Sequence, residues 1–135
     1  MSTSNKNTIR NNIILNTSSL KRETYGIRFY LGSKNQKVYN NIIRRIVIGI
    51  AVCHILPWTT GENFKIYNNS ISEVFNALLA RLKNSIIYNE NYTLMVSQGI
   101  FIAASQNVVV EKCRIVYLNY CIPEIMDPSY FEEVK

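Results

Sequence analysis

The sequence has one histidine, His54, and one aspartate, Asp127, among its 135 residues, and this scarcity excludes most catalytic arrangements. A Ser-His-Asp triad would have to combine these two residues, and Asp127 lies in a short C-terminal segment. A Cys-His pair of His54 with Cys113 or Cys121 is the remaining catalytic alternative. Cys53 would complete four zinc ligands, but the chain has no Cys-x-x-Cys pair, and adjacent ligands at 53 and 54 are unfavourable. The sequence therefore predicts a non-enzyme without a metal, a cofactor or a small-molecule substrate.

Cysteine is also scarce, and its odd count of three fits a chain without a disulfide framework. No signal-peptide pattern is recognised at the N terminus. The longest uninterrupted apolar run, residues 46–53, is eight residues long, whereas a membrane-spanning helix needs about twenty. These features predict an intracellular protein of a reducing compartment, the cytoplasm or the nucleus, with no transmembrane helix.

Low-hydrophobicity disorder is excluded because 47% of the residues are hydrophobic, and the length predicts a single domain. Alanine and glycine are few, whereas isoleucine, asparagine and tyrosine, whose codons are AT-rich, are common; this composition suggests a viral or parasite genome. We expect a flexible polar and basic tail over residues 1–20, a domain over 21–122 and an acidic tail or short helix over 123–135. No internal repeat is expected.

Residues 70–88 have the pattern of an amphipathic helix. Ser70 and Glu73 have the spacing of a capping box at its start. Apolar residues recur with the i, i+3, i+4, i+7 spacing of one helical face: Ile71, Val74, Phe75, Leu78, Leu79, Leu82 and Ile86. The buried face of this helix would pack on strands that follow residue 91.

Residues 38–56 carry two conflicting signals. Their apolar residues form one helical stripe, yet most of them are β-branched and favour strands. Nineteen residues exceed an ordinary strand, so length favours a helix. With strands expected at 23–31, 92–98, 100–104 and 108–122, the sequence predicts an α+β fold, with a mainly antiparallel sheet and two helices packed on one face.

Acidic residues are almost absent from residues 1–60, which hold nine lysines or arginines against Glu23 alone. Residues 61–135 hold six basic and eight acidic residues, so the net charge of +6 arises in the front half. This asymmetry predicts an anionic partner, with nucleic acid favoured over an anionic membrane surface. Aromatic residues interleave with basic ones over 21–39, a pattern compatible with base stacking beside phosphates. The predicted binding residues are Lys21, Arg22, Arg28, Lys34, Lys37, Arg44, Arg45, Lys112 and Arg114.

Two interpretations of function therefore stay open. In the first, the chain is a small structural or binding protein whose basic front half binds nucleic acid. In the second, it is a self-assembling, matrix-like or accessory protein that acts through protein–protein and membrane-surface contacts. Protein partners or self-association are expected in either case.

Overall fold

The computed structural model describes residues 6–16, 24–30, 32–52, 60–95 and 100–117, and every regular element in these ranges is a β-strand. The strands are β1 (Thr8–Arg10), β2 (Ile13–Leu15), β3 (Tyr25–Phe29), β4 (Lys37–Tyr39), β5 (Ile42–Arg44), β6 (Ile48–Val52), β7 (Gly61–Glu62), β8 (Lys65–Tyr67), β9 (Ser70–Val74), β10 (Asn76–Tyr88), β11 (Asn91–Leu94), β12 (Ile100–Glu111) and β13 (Arg114–Tyr117). The part of the chain so described contains no helix that is long and apolar enough to cross a membrane.

The strands form a parallel β-helix in which the chain winds into successive coils. All pairings between these strands are parallel. The register places Ile9, Val38, Ile66, Ile87 and Val110 side by side, at intervals of 29, 28, 21 and 23 residues. Each interval is one coil, and each coil stacks on the one before it.

The coils build three walls, and within the described residues the last coil contributes to the first two of them. The first wall consists of β1, β4, β8, the end of β10 and the end of β12. The second consists of β2, β5, β9, β11 and β13. The third consists of β3, β6, the start of β10 and the start of β12. The long strands β10 and β12 therefore each run through two walls.

Alternate residues of every wall point inward and build the core. Val38, Ile66 and Ile87 stack inside the first wall, and Ile43, Ile71 and Tyr92 stack inside the second. Isoleucine and valine suit such positions because β-branched side chains pack well on a pleated surface. Nine isoleucines of the described residues are buried in the core.

Two glycines of the third wall lie where the backbones of adjacent coils are in close contact. A Cβ atom at Gly49 would lie 2.7 Å from the carbonyl oxygen of Ala77, and one at Gly26 would lie 2.6 Å from the carbonyl oxygen of Gly49. A larger side chain at either glycine would force the backbones of adjacent coils apart.

The predicted α+β fold with an antiparallel sheet is wrong. Residues 70–88 are β9 and β10, and residues 38–52 are β4, β5 and β6. The helical spacing arose at corners. Glu73 and Asn84 have left-handed backbone conformations, and each adds one residue to its strand. The spacing between inward residues therefore changes from two to three at these points. The nineteen-residue length was likewise misleading, because the described part of that stretch, residues 38–52, consists of three short strands separated by corners.

The coil geometry also changes the strand predicted at residues 108–122. The strand predicted at 108–122 is interrupted at Lys112, which has a φ of 54°, and the chain then enters the second wall as β13. Lys112 and Arg114 therefore do not share one strand face.

The strand predicted around residues 23–31 is confirmed as β3. The predicted terminal helix over 123–135 lies outside the described residues, whereas β1 and β2 lie within the segment predicted as a tail.

Candidate nucleic-acid interface

Corner residues fix which side chains of the first wall point to solvent. The corner after this wall is formed in successive coils by residues with φ between 52° and 57°: Asn11, Asn40, Asn68, Asn89 and Lys112. Asparagine tolerates this left-handed conformation better than most residues. Because every coil turns at the same point, the residues before the corner align as two outward rows.

The row next to the corner is a ladder of tyrosines. The rings of Tyr39 and Tyr67 lie 4.7 Å apart, those of Tyr67 and Tyr88 lie 4.8 Å apart, and both pairs are within 5° of parallel. Arg10 precedes the ladder and donates a hydrogen bond from Nη1 to the Tyr39 hydroxyl at 3.3 Å. Glu111 follows it in the same register. The ladder therefore presents ring edges and hydroxyls, while the middle ring has both faces covered.

The hydroxyls of the ladder influence one another. The pKa of Tyr67 is raised, first by desolvation and then by the neighbouring hydroxyls of Tyr39 and Tyr88. A negative charge between two other phenols is unfavourable. The middle hydroxyl of the ladder, that of Tyr67, therefore stays neutral and able to form hydrogen bonds at physiological pH.

The second outward row carries two lysines from adjacent strands. Lys37 and Lys65 are direct register partners and both are exposed, so their Cα atoms are about 4.8 Å apart. No carboxylate of the described residues lies within 4.0 Å of either ammonium group. Like charges directly opposite each other on paired strands are destabilising. The wall therefore holds a repulsive pair that a bound anion would relieve.

These lysines line an open cavity of about 390 Å³, which we call the lysine cleft. Lys6 adds a third ammonium group, and Asn7, Thr8, Asn35, Gln36 and Asn63 provide the remaining lining. Ammonium groups and side-chain amides are donors suited to phosphate oxygens. The cleft spans the first three coils and borders the tyrosine ladder.

A second cavity of about 380 Å³ lies at the other end of the ladder. It is lined by Lys65, Ile86, Tyr88, Asn89, Glu111 and Lys112, and we call it the Tyr88 cavity. The lysine cleft, the ladder and the Tyr88 cavity together form one continuous outer face of the first wall.

The inside of the same corner is a buried polar ladder. The Asn69 amide oxygen accepts hydrogen bonds from the backbone N–H and the side-chain Nδ2 of Asn41, both at 3.0 Å. Asn69 in turn donates to Glu90, from its backbone N at 2.6 Å and from Nδ2 at 3.2 Å. Burial raises the pKa of Glu90 to about 7, although hydrogen bonds from Asn69 and Tyr92 lower it. This ladder holds the corners of adjacent coils together.

The predicted binding residues are dispersed over the surface. Lys37 lies in the lysine cleft and Lys112 in the Tyr88 cavity. Lys34 and Arg44 form ion pairs with Glu62 and Glu73, at 3.5 and 3.1 Å.

Arg28 lies over the rings of Tyr25 and Tyr30, at 4.1 and 4.3 Å from their centroids. Arg45 lies at the corner after β5, and Arg114 begins β13 in the second wall. Lys21 and Arg22 lie outside the described residues. Those members of the predicted set that the structure describes therefore lie in several different parts of the surface.

Sequence reasoning missed Lys65 and the ladder formed by Tyr39, Tyr67 and Tyr88. The missing signal was an internal repeat, which reads Val-Tyr-Asn-Asn at 38–41, Ile-Tyr-Asn-Asn at 66–69 and Ile-Tyr-Asn-Glu at 87–90. Aligning these segments places the tyrosines in one row and Lys37 beside Lys65.

No protein-family model, curated protein or solved structure matches this chain. Among the residues that the structure describes, no group of three or more His, Cys, Asp or Glu side chains is placed to hold a metal ion.

Proposed function

We propose that the chain is a nucleic-acid-binding protein and that the outer face of the first wall holds a single strand through its phosphates. The observation that carries the proposal is the Lys37–Lys65 register pair, which has no carboxylate partner among the described residues. Lys6 brings a third cation into the same cleft. A polyanion would neutralise these charges and release its own counterions, which favours binding at low salt.

The tyrosine ladder supports a linear partner rather than a compact anion. Its three rings run across three coils beside the lysines, so hydroxyl donors and cations follow the same direction. The stacked rings leave no gap into which bases could insert between them. Binding along the face is therefore expected to depend on the backbone of the nucleic acid more than on its sequence.

Replacing Lys37 and Lys65 by alanine is expected to flatten the salt dependence of RNA binding. Each phosphate contact contributes about −0.7 to the slope of log K against log salt for a single strand, so the double variant should lose about 1.4 from that slope. The measurement is fluorescence anisotropy with a labelled nine-residue oligouridine from about 50 to 200 mM salt.

The matched control is Arg45→Ala with Arg114→Ala, which removes the same charge from exposed positions outside this face. The control should keep most of the slope. Equal losses in the two double variants would show that net charge alone drives binding. Absence of binding by the unsubstituted chain at 50 mM salt would reject the proposal and direct the test to anionic vesicles.

Self-association is a second candidate, favoured by three apolar side chains on the outer face of the second wall. Ile13, Leu15 and Ile42 are 77%, 54% and 43% exposed, and they lie on β2 and its partner β5. A second copy of the chain is the proposed occupant, because β2 ends the order of its sheet in the described residues, and an apolar edge strand favours pairing.

Sedimentation velocity tests this candidate. The chain should sediment faster as its concentration increases, and Ile13→Lys with Leu15→Lys should remove this dependence. A concentration-independent monomer would contradict self-association without affecting the test of the lysine cleft.

A further inference from the structure

The tyrosine ladder stops one coil before the wall does. Tyr67 covers one face of the Tyr88 ring, and the register partner of Tyr88 on the other side is Glu111 rather than a fourth aromatic residue. The Tyr88 cavity opens at this position and has a volume of about 380 Å³. The ladder therefore ends in an aromatic ring with a cavity beside it.

The lining of the Tyr88 cavity combines three kinds of group. Tyr88 contributes an aromatic ring, Glu111 a carboxylate, and Lys65 and Lys112 contribute cations. The carboxylate of Glu111 has no cation within 4.0 Å among the described residues, and its side chain is exposed. A ligand that satisfies all three needs a planar ring, adjacent hydrogen-bond donors and a phosphate.

We propose that the Tyr88 cavity is a guanine-binding subsite, in which a guanine base of the bound strand stacks on Tyr88 as the next ring of the ladder. Stacking of a base on an aromatic side chain is favourable for every base. Guanine alone among the four bases presents two adjacent N–H donors on its pairing edge, which match the two oxygens of a carboxylate. Glu111 is the acceptor of that edge.

Adenine and cytosine each place a ring acceptor beside their amino donor, and uracil flanks its donor with carbonyl oxygens. These acceptors would face the Glu111 carboxylate and be repelled by it. Lys65 and Lys112 also line the cavity, and they would bind the phosphates that flank the base. Lys65 also lines the lysine cleft, so one strand can continue from the subsite into that cleft.

This inference rests on the proposed nucleic-acid binding and adds a base preference to it. The test compares three labelled nine-residue RNAs by anisotropy: oligouridine, and oligouridine with one central guanine or one central adenine. We expect the guanine oligonucleotide to bind about tenfold more tightly than oligouridine, with adenine between them.

Variants separate the contributions of the ring and the carboxylate. Glu111→Gln keeps the size of the side chain but replaces one oxygen by a donor, so it should remove the advantage of guanine over adenine. Tyr88→Leu should remove the advantage of both purines, while Tyr88→Phe retains it. Tyr25→Leu, on β3 in the third wall and outside this face, should leave the base preference unchanged.

The outcomes distinguish the two proposals. Salt-dependent binding of all three oligonucleotides with equal affinity overturns the guanine subsite and leaves the lysine cleft supported. Equal affinity for guanine and adenine, unaffected by Glu111→Gln, also overturns the assignment of guanine. Failure of every oligonucleotide to bind at 50 mM salt overturns the proposed function itself.

Discussion

Replacing Asn69 by alanine is expected to lower the free energy of unfolding by about 3–5 kcal/mol, because this residue joins three coils through its side chain. Its amide oxygen accepts two hydrogen bonds from Asn41, and its Nδ2 donates to the carbonyl oxygen of Val38 at 3.0 Å and to Glu90. Asn69 is 1% exposed, so water does not replace these partners. Each buried group left without a partner costs about 1–3 kcal/mol.

Chemical denaturation followed by circular dichroism measures this effect. The matched control is Asn91→Ala, which removes the same atoms from an exposed position of β11, and its effect should stay within about 0.5 kcal/mol. Similar losses in the two variants would show that the buried polar ladder contributes no more than a surface asparagine.

The stability of the chain is expected to fall as the pH rises from about 5 to 8, because of Glu90. Burial raises the pKa of this carboxyl group from 4.5 to about 7 in the folded chain. Between those values the folded state binds more protons than the unfolded state, so raising the pH favours unfolding. The stabilisation by Glu90 is fully present below pH 4.5 and is lost as the pH rises through 7. The free energy of unfolding decreases by at most about 1.4 kcal/mol per pH unit.

Glu90→Gln should remove this part of the pH dependence, because glutamine does not titrate. The difference in unfolding free energy between the original chain and the variant should decrease from pH 5 to pH 8. Asn91→Ala serves again as the control and should keep the original slope. A difference that is constant or increases with pH would contradict the assignment of Glu90 as the titrating group.

Tyr92→Phe provides a second measurement on the same group. The Tyr92 hydroxyl donates to Glu90 Oε1 at 2.9 Å, and this hydrogen bond lowers the pKa of Glu90. Its loss should therefore shift the fall in stability to higher pH. The pKa values of Tyr92 and Cys113 are themselves raised above 10 and 9, mainly by burial, so both groups titrate beyond this range.

The sequence predicted single strands better than it predicted their arrangement. Alternation over β3 correctly indicated a strand, because that segment contains no corner. Around Glu73 and Asn84 the corners changed the spacing of inward residues, and a period-based reading then favoured a helix. The β-branched residues of 42–52 gave the correct signal, but the length of the apolar stretch outweighed it.

The candidate interface was harder to predict than the fold, because its partners lie a whole coil apart. Lys37 meets Lys65 across 28 residues, and Tyr67 meets Tyr88 across 21. Charge counting found Lys37 but gave no reason to join it to Lys65, which lies beyond the basic front half. The repeated Tyr-Asn pairs at 39–40, 67–68 and 88–89 were the signal that could have joined them.

Because each coil is 21 to 29 residues long, this chain could change in length by whole coils. Strands contact those of neighbouring coils, so the energy of each coil depends on the ones directly above and below it. Duplicating one 21-residue segment would add a tyrosine and a corner asparagine without altering the contacts elsewhere. The length of the outer face is therefore set by the number of coils, and it increases by one strand spacing of about 4.8 Å for each added coil.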